Sequence, residues 1–376
     1  MEKLLNALNT VESGYLRRGL PVFDGREGKY LYSGSSRLVN FSSNDYLGLS
    51  SDKEIRRKAA GLLGRTEMRL GSGSARLVSG SFRRYGEIEK IYGNYFGFEN
   101  SLFFPSGYQA NVGLMSALFD PEDSVIVDKR LHASLVHGLS LAKAKLTAFS
   151  HADWKSFEKK SLAAGAPRAA VLESLYSMDG DVLDISYIEK NRSSFPFLVV
   201  DEAHAFGVLG DGGKGIASHL ADIAIGTFGK AFGFHGAFIL CSDRVRDYLI
   251  NFCPSFRYTT SLPLFHYEVA ELLLDKVGRM DAERAYLADL SKFAKELLLS
   301  QGIPVKGDAH VLAVQVGSGA KAVEIAGGLM RRGCYVFAAR YPTTPYNRAI
   351  LRIGLTAEHE QDDIKRMSDC LKELLG

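Results

Sequence analysis

Short, continuous apolar runs alternate along the chain with longer stretches whose apolar positions recur at helical spacing. This order predicts a mainly parallel sheet covered by helices on both faces. The runs Leu102–Phe104, Val125–Val127, Ala170–Glu173, Leu198–Asp201, Ile223–Gly226 and Ala237–Cys241 read as buried strands. Between them, Glu54–Leu63, Phe82–Phe96, Tyr108–Phe119 and Ser186–Asn191 carry helical periods. The pattern changes at TTSLPLF, where Pro263 punctuates and a helical tract begins that runs to about residue 300. Beyond it, Val311–Val316, a helix over Ala320–Arg332, Tyr335–Ala338 and a closing helix from residue 360 predict a smaller α+β domain. The expected organisation is therefore 1–49 as an N-terminal helix and short strand segment, 50–263 as the large domain and 264–376 as the small one.

Composition narrows the class of protein. The 376 residues, 46% hydrophobic and 11% aromatic, suffice for a sizeable packed core. Lys and Arg total 46 against 43 acidic residues, and the basic pairs are scattered, so nothing favours nucleic-acid binding. Four cysteines without metal-ligand spacing read as reduced thiols. The first residues, MEKLLNALNTVESGYLRRG, form an amphipathic helix pattern with acids inside it, and no apolar run reaches membrane-spanning length. The expectation is a cytoplasmic protein with no membrane partner and no metal.

Ligands of open α/β sheets sit beyond the carboxyl ends of the strands, which directs attention to the residues there. In chain order these are Ser106-Gly107-Tyr108, His132, Glu173 with Ser177, Asp201 with His204, and Thr227 with Lys230. Asp201 closes the run FPFLVV, where a buried carboxylate needs a cationic partner. Lys230 follows a neighbouring strand and is placed to act as an amine nucleophile. A carboxylate for a ring nitrogen and a lysine for an aldehyde are what pyridoxal phosphate requires. Gly107 and Tyr108 open a helix whose N–H groups suit a phosphate, and the Thr227 hydroxyl suits the same group. His132 could lie on the ring face and His204 could bond the ring oxygen.

Other readings of these motifs are weaker. Asp201-Glu202-Ala203-His204 spells a nucleotide-hydrolase box, yet no phosphate loop precedes it, and GTFGKAFG fails the P-loop pattern. GSGSAR at 71–76 lacks the final glycine and the preceding strand of a dinucleotide fingerprint.

Taken together, NFSSNDYLGLS, GSGSARLVSG, LFFPSGYQAN, RLHASL, ESLYSMDGD, DEAHAFGVLG, TFGKAFG, YTTSLP and LRIGLTAEH resemble the α-oxoamine synthases over essentially the full chain. These are pyridoxal-phosphate enzymes of the aspartate-aminotransferase fold, and the resemblance implies a large domain with a seven-stranded, mainly parallel sheet. It further implies that Lys230 forms the Schiff base, Asp201 pairs with the pyridinium, His204 bonds the phenolic oxygen and His132 stacks on the ring. Gly107, Tyr108, Glu173, Ser177 and Thr227 would help to hold the cofactor, with Thr260 reaching the phosphate of a neighbouring subunit in a homodimer with shared sites. Arg352 would bind the amino-acid carboxylate with help from Asn44, while Arg17 and Thr343 would meet the acyl substrate, a coenzyme A thioester. HAFG stands where the family more often has HGxG.

Overall fold

The computed structural model describes Lys3, residues 17–165 and residues 167–376, so the predicted N-terminal helix lies almost wholly outside the described residues. Two compact units result. One comprises Leu49–Tyr176 and Val182–Arg284, the other Met1–Gly48, Ser177–Asp181 and Ala285–Gly376.

The first unit is built on a seven-stranded sheet. Its spatial order is Asn100–Phe104, Ala237–Cys241, Ile223–Thr227, Phe197–Asp201, Ala169–Glu173, Ser124–Asp128 and Lys145–Phe149. Only Ala237–Cys241 runs against its neighbours, and the remaining pairs are parallel. Successive side chains of each strand enter opposite cores. Val125 and Val127 join Leu114, Leu135 and Leu139 on one face, while Ile126 joins Phe157 and Ile188 on the other. That two-sided burial explains why these strands read as continuous apolar runs rather than as alternation. The edge strand Lys145–Phe149 escaped sequence reading because only Phe149 of its residues is buried.

Helix starts follow ordinary capping chemistry. Ser106 accepts a hydrogen bond from the Gln109 amide ahead of Gly107–Leu118, and Ser242 accepts one from Val245 ahead of Asp243–Phe252. The long tract expected from residue 264 is two helices, Leu264–Val277 and Asp281–Ser300, interrupted at Gly278. The first of them belongs to the sheet unit, so the boundary falls after Arg284 rather than after Pro263. Tyr267 accounts for this: it is buried, stacks on Tyr85 at 3.9 Å and on Phe103 at 4.8 Å, and donates to Glu89.

The second unit holds two small sheets. Gly25–Glu27, Tyr30–Ser33 and Ser36–Asn40 form an antiparallel meander extended by Cys334–Tyr335, and Val311–Gly317 pairs with Val305–Lys306 and Ala349–Gly354, the latter pairing onward to Phe337–Ala339. The single strand expected over Tyr335–Ala338 is thus two strands in different sheets. Ser177–Asp181 belongs here because the Asp308 amide donates to Gly180 O at 2.9 Å. A Cβ at Gly180 would lie 1.9 Å from Val311 O, so this approach requires glycine.

Candidate functional site

At the carboxyl ends of the central strands, register brings the acidic residues side by side. Glu173 is paired with Asp201, and Asp201 with Ile225, two residues before Thr227. Asp201 is buried and its carboxylate is held at both oxygens: the Ala203 amide donates to Oδ1 and Asn111 Nδ2 to Oδ2, each at 2.9 Å. A buried anion fixed by neutral donors is poised for a cationic partner.

The Asn111 amide also donates to Ser134 Oγ at 2.9 Å, and Ser134 Oγ lies 2.7 Å from His132 Nδ1. The Ser134 main-chain N–H donates to the same Nδ1 at 3.3 Å, which leaves that nitrogen as the acceptor and puts the imidazole proton on Nε2. His132 is also the N-cap of Ala133–Ala142, which fixes the ring from its backbone. Burial lowers its pKa; the Asp201 charge opposes that shift and the Lys230 charge adds to it. His132, Asp201 and Lys230 therefore lie within one electrostatic neighbourhood. In the sequence Asn111 and Ser134 stand only as parts of LFFPSGYQAN and RLHASL. The signal for Asn111 was nonetheless present, a polar residue on the same helical face as Leu114 and Met115.

Glu173 is wholly buried and is pushed well above the usual carboxylate range by that burial and by Asp201, with Lys230 and the His132 amide opposing. Its Oε1 has no hydrogen-bond partner among the described residues. His204 is buried on the loop after Asp201. Glu202 turns away from this cluster. It accepts from the Ala217 amide at 2.7 Å, and burial raises its pKa to about 7. This carboxylate closes a loop, which removes the basis for reading Asp201–His204 as a nucleotide-hydrolase box.

Lys230 sits in the connection between Ile223–Thr227 and Ala237–Cys241. Thr227 Oγ1 donates to Gly236 O at 2.9 Å and accepts from the Gly229 amide at 3.1 Å. A Cβ on Gly107 would lie 3.8 Å from Thr227 Oγ1, so the predicted hydroxyl and the predicted helix start do meet. The Tyr108 side chain points elsewhere, its hydroxyl 2.7 Å from His137 Nδ1, which leaves its backbone N–H as the contribution to an anion. Thr260 is exposed, whereas Ser261 is engaged with Gly80 O at 2.6 Å and with the Ser74 carbonyl.

These groups fit pyridoxal phosphate. A buried carboxylate on neutral donors, a neutral imidazole, a lysine in their field and a hydroxyl beside a glycine-opened helix match the ring nitrogen, ring face, aldehyde and phosphate in turn.

The second unit holds the other predicted set. Arg352 is buried on Ala349–Gly354; its Nε donates to Ser177 O at 2.6 Å and its Nη2 to Asn44 Oδ1 at 3.1 Å and to Tyr46 Oη at 3.4 Å. These three acceptors are neutral. Ser177 contributes its carbonyl to Arg352. Arg18 Nη2 donates to Thr343 Oγ1 at 3.0 Å and Arg340 Nη2 to Arg17 O at 2.8 Å, which joins the Arg17 segment to the loop carrying Thr343.

Known proteins share this sequence and fold. The family model for aminotransferase class I and II matches residues 36–371. An 8-amino-7-oxononanoate synthase of Chlorobaculum parvum is 35% identical over 372 residues, covering 95% of this chain and 94% of that protein. The solved 8-amino-7-oxononanoate synthase of Francisella tularensis is 26% identical with a TM-score of 0.78, over 89% of this chain and 97% of that one. Serine palmitoyltransferase of Sphingomonas wittichii is 25% identical with a TM-score of 0.90, over 99% and 96%. No helix among the described residues is long and apolar enough to cross a membrane. The chain belongs to the aminotransferase class I and II family and is an enzyme whose cofactor is pyridoxal phosphate.

Proposed function

We propose that the protein is an α-oxoamine synthase that condenses L-alanine with pimeloyl-CoA, releasing CoA and CO2 and forming 8-amino-7-oxononanoate for biotin biosynthesis. The observation that carries this reading is the buried Arg352 guanidinium, whose bonds among the described residues run to neutral oxygens, in a chain that also carries the Asp201, His132 and Lys230 cluster.

Pyridoxal phosphate, when bound, supplies an electron sink for negative charge at the substrate Cα. Asp201 keeps the ring nitrogen protonated, and Asn111 keeps Asp201 in place. His132, neutral with its proton on Nε2, covers the ring face, and His204 bonds the phenolic oxygen. Thr227 and the Gly107 and Tyr108 amides hold the phosphate, and Glu173 and Ser177 assist in holding the cofactor. Arg352 and Asn44 bind the amino-acid carboxylate, for which a planar guanidinium fork is suited. Lys230 Nζ would take the proton from the substrate Cα and later return one there. Arg17 and Thr343 contact the acyl chain. The active unit is a homodimer in which Thr260 reaches the partner's cofactor phosphate.

A second reading is another member of the same class, a glycine C-acetyltransferase or a serine palmitoyltransferase-like enzyme. It is favoured by the substrate loop RYPTTPYNRAILR, which departs from the Pro-Pro-Thr-Val-Pro usual in the oxononanoate synthases, and by the serine palmitoyltransferase structural likeness. Spectral titration of the holoenzyme with alanine, glycine, serine and threonine separates the two. Saturation by alanine at the lowest concentration, with CoA release from pimeloyl-CoA, is the expected result; preferential saturation by glycine or serine selects the second reading.

A further inference from the structure

We propose that His266 is a positioning residue for Lys230, tying the base of the lysine-bearing turn to the helix Leu264–Val277. The inference rests on the reading that Lys230 holds the cofactor. Residues 228–236 connect two antiparallel strands and carry Lys230 between them. The turn is knitted internally: the Phe228 amide donates to Gly236 O, the Phe234 amide to Phe228 O and the Gly233 amide to Lys230 O, each at 2.9 Å. Internal bonds set its shape. They do not set where the turn stands on the rest of the unit.

Phe228 and Phe232 pack on Tyr92, and two contacts made by the backbone of the turn add to this. Gly233 lies against the backbone of Leu49 and Ser50, so close that a Cβ would be 2.2 Å from Ser50 N. On the other side, buried His266 bonds the His235 carbonyl through Nε2. A carbonyl can only accept, so Nε2 carries the proton and donates. The fit around this bond is close. A Cβ on Gly236 would lie 3.2 Å from His266 Nε2 and 2.9 Å from Phe104 O, so the backbone meets the imidazole only because residue 236 is glycine. Phe228 and Phe234 flank the ring at 5.5 and 4.4 Å between centroids.

The other ring nitrogen explains why this is more than packing. Among the described residues His266 Nδ1 is buried without a hydrogen-bond partner, a cost that an apolar residue of similar size would avoid. What the imidazole adds at this place is one N–H aimed at the turn. Burial lowers its pKa to about 4, so the donor is neutral at physiological pH. From His235 the effect reaches the site in one step, because the next carbonyl, Gly236 O, accepts both the Phe228 amide and the Thr227 hydroxyl.

The test compares His266→Leu with His266→Gln, whose amide can restore a donor. In cofactor-free protein, amide hydrogen exchange across 228–236 should rise about tenfold in the leucine variant, while Ser124–Asp128 stays unchanged. The dissociation constant for pyridoxal phosphate should rise about tenfold, as for loss of one buried hydrogen bond, and the glutamine variant should recover most of both effects. Unchanged exchange in the leucine variant, or a glutamine variant as impaired as leucine, overturns the proposal. If the leucine variant does not fold, imidazole nitrogen NMR of the wild type decides, since a proton on Nδ1 of His266 contradicts the bond. Mapping of the reduced cofactor adduct on wild-type protein tests the role of Lys230 separately.

Discussion

Asn111 Nδ2 donates to Asp201 Oδ2 and to Ser134 Oγ, each at 2.9 Å, so a single buried amide links the carboxylate at one strand end to the His132 imidazole at another. The amide has two protons and both are used, which fixes its orientation. Asp201 is thereby held by neutral donors at both oxygens.

Replacing Asn111 with leucine should therefore weaken the site without touching the cofactor directly. Loss of a hydrogen bond to a buried charge is worth about 1.5–3 kcal/mol, or roughly a ten- to hundredfold rise in the dissociation constant for pyridoxal phosphate. Fluorescence titration of the apo-protein measures it. An affinity within a few fold of wild type would show that Asp201 needs no such support.

Arg352→Lys should raise the concentration of amino acid needed for spectral saturation by about tenfold or more, because a point charge cannot reproduce the fork. Cofactor affinity should be nearly unchanged. A variant that loses cofactor and amino-acid affinity equally would mean that Arg352 serves the fold.

Glu202 supplies a pH signature of its own. Its folded pKa, about 7, lies above its ordinary 4.5, so the native state holds the proton more tightly than the unfolded chain. The contribution is fully present below pH 4.5 and is lost as pH rises through about 7. Relative to wild type, Glu202→Gln should gain stability between pH 5 and 8, by up to about 3 kcal/mol. Denaturant melts across that range test this; a pH-independent difference would contradict it.

The proposed homodimer with shared sites predicts complementation. A Lys230→Ala chain mixed with a Thr260→Ala chain should recover up to about half of wild-type activity per heterodimer, because one of its two sites then carries neither lesion. No recovery despite demonstrated subunit exchange, with Thr260→Ala itself impaired, would place Thr260 in its own chain's site.

The sequence discloses this architecture unevenly, for physical reasons. Strands buried on both faces are continuous apolar runs, so Asp201 and Lys230 could be recognised as standing at strand ends. The edge strand Lys145–Phe149 is largely exposed and lacks that mark. Ser177–Asp181 joins the second unit through its contact with the Gly307–Val311 region, a long-range relation that no local pattern records. Asn111 and Ser134 were visible as residues but not as a relay, because their meaning lies in the meeting of two helices with a strand end. Arg352 looks like an ordinary strand arginine until its neutral acceptors are seen.

The most direct test of the central claim is borohydride reduction of the purified holoenzyme, followed by peptide mass mapping. A pyridoxyl adduct on Lys230, absent from the Lys230→Ala variant, is the expected result. An adduct on a different lysine, or none in a protein loaded with pyridoxal phosphate, would contradict it.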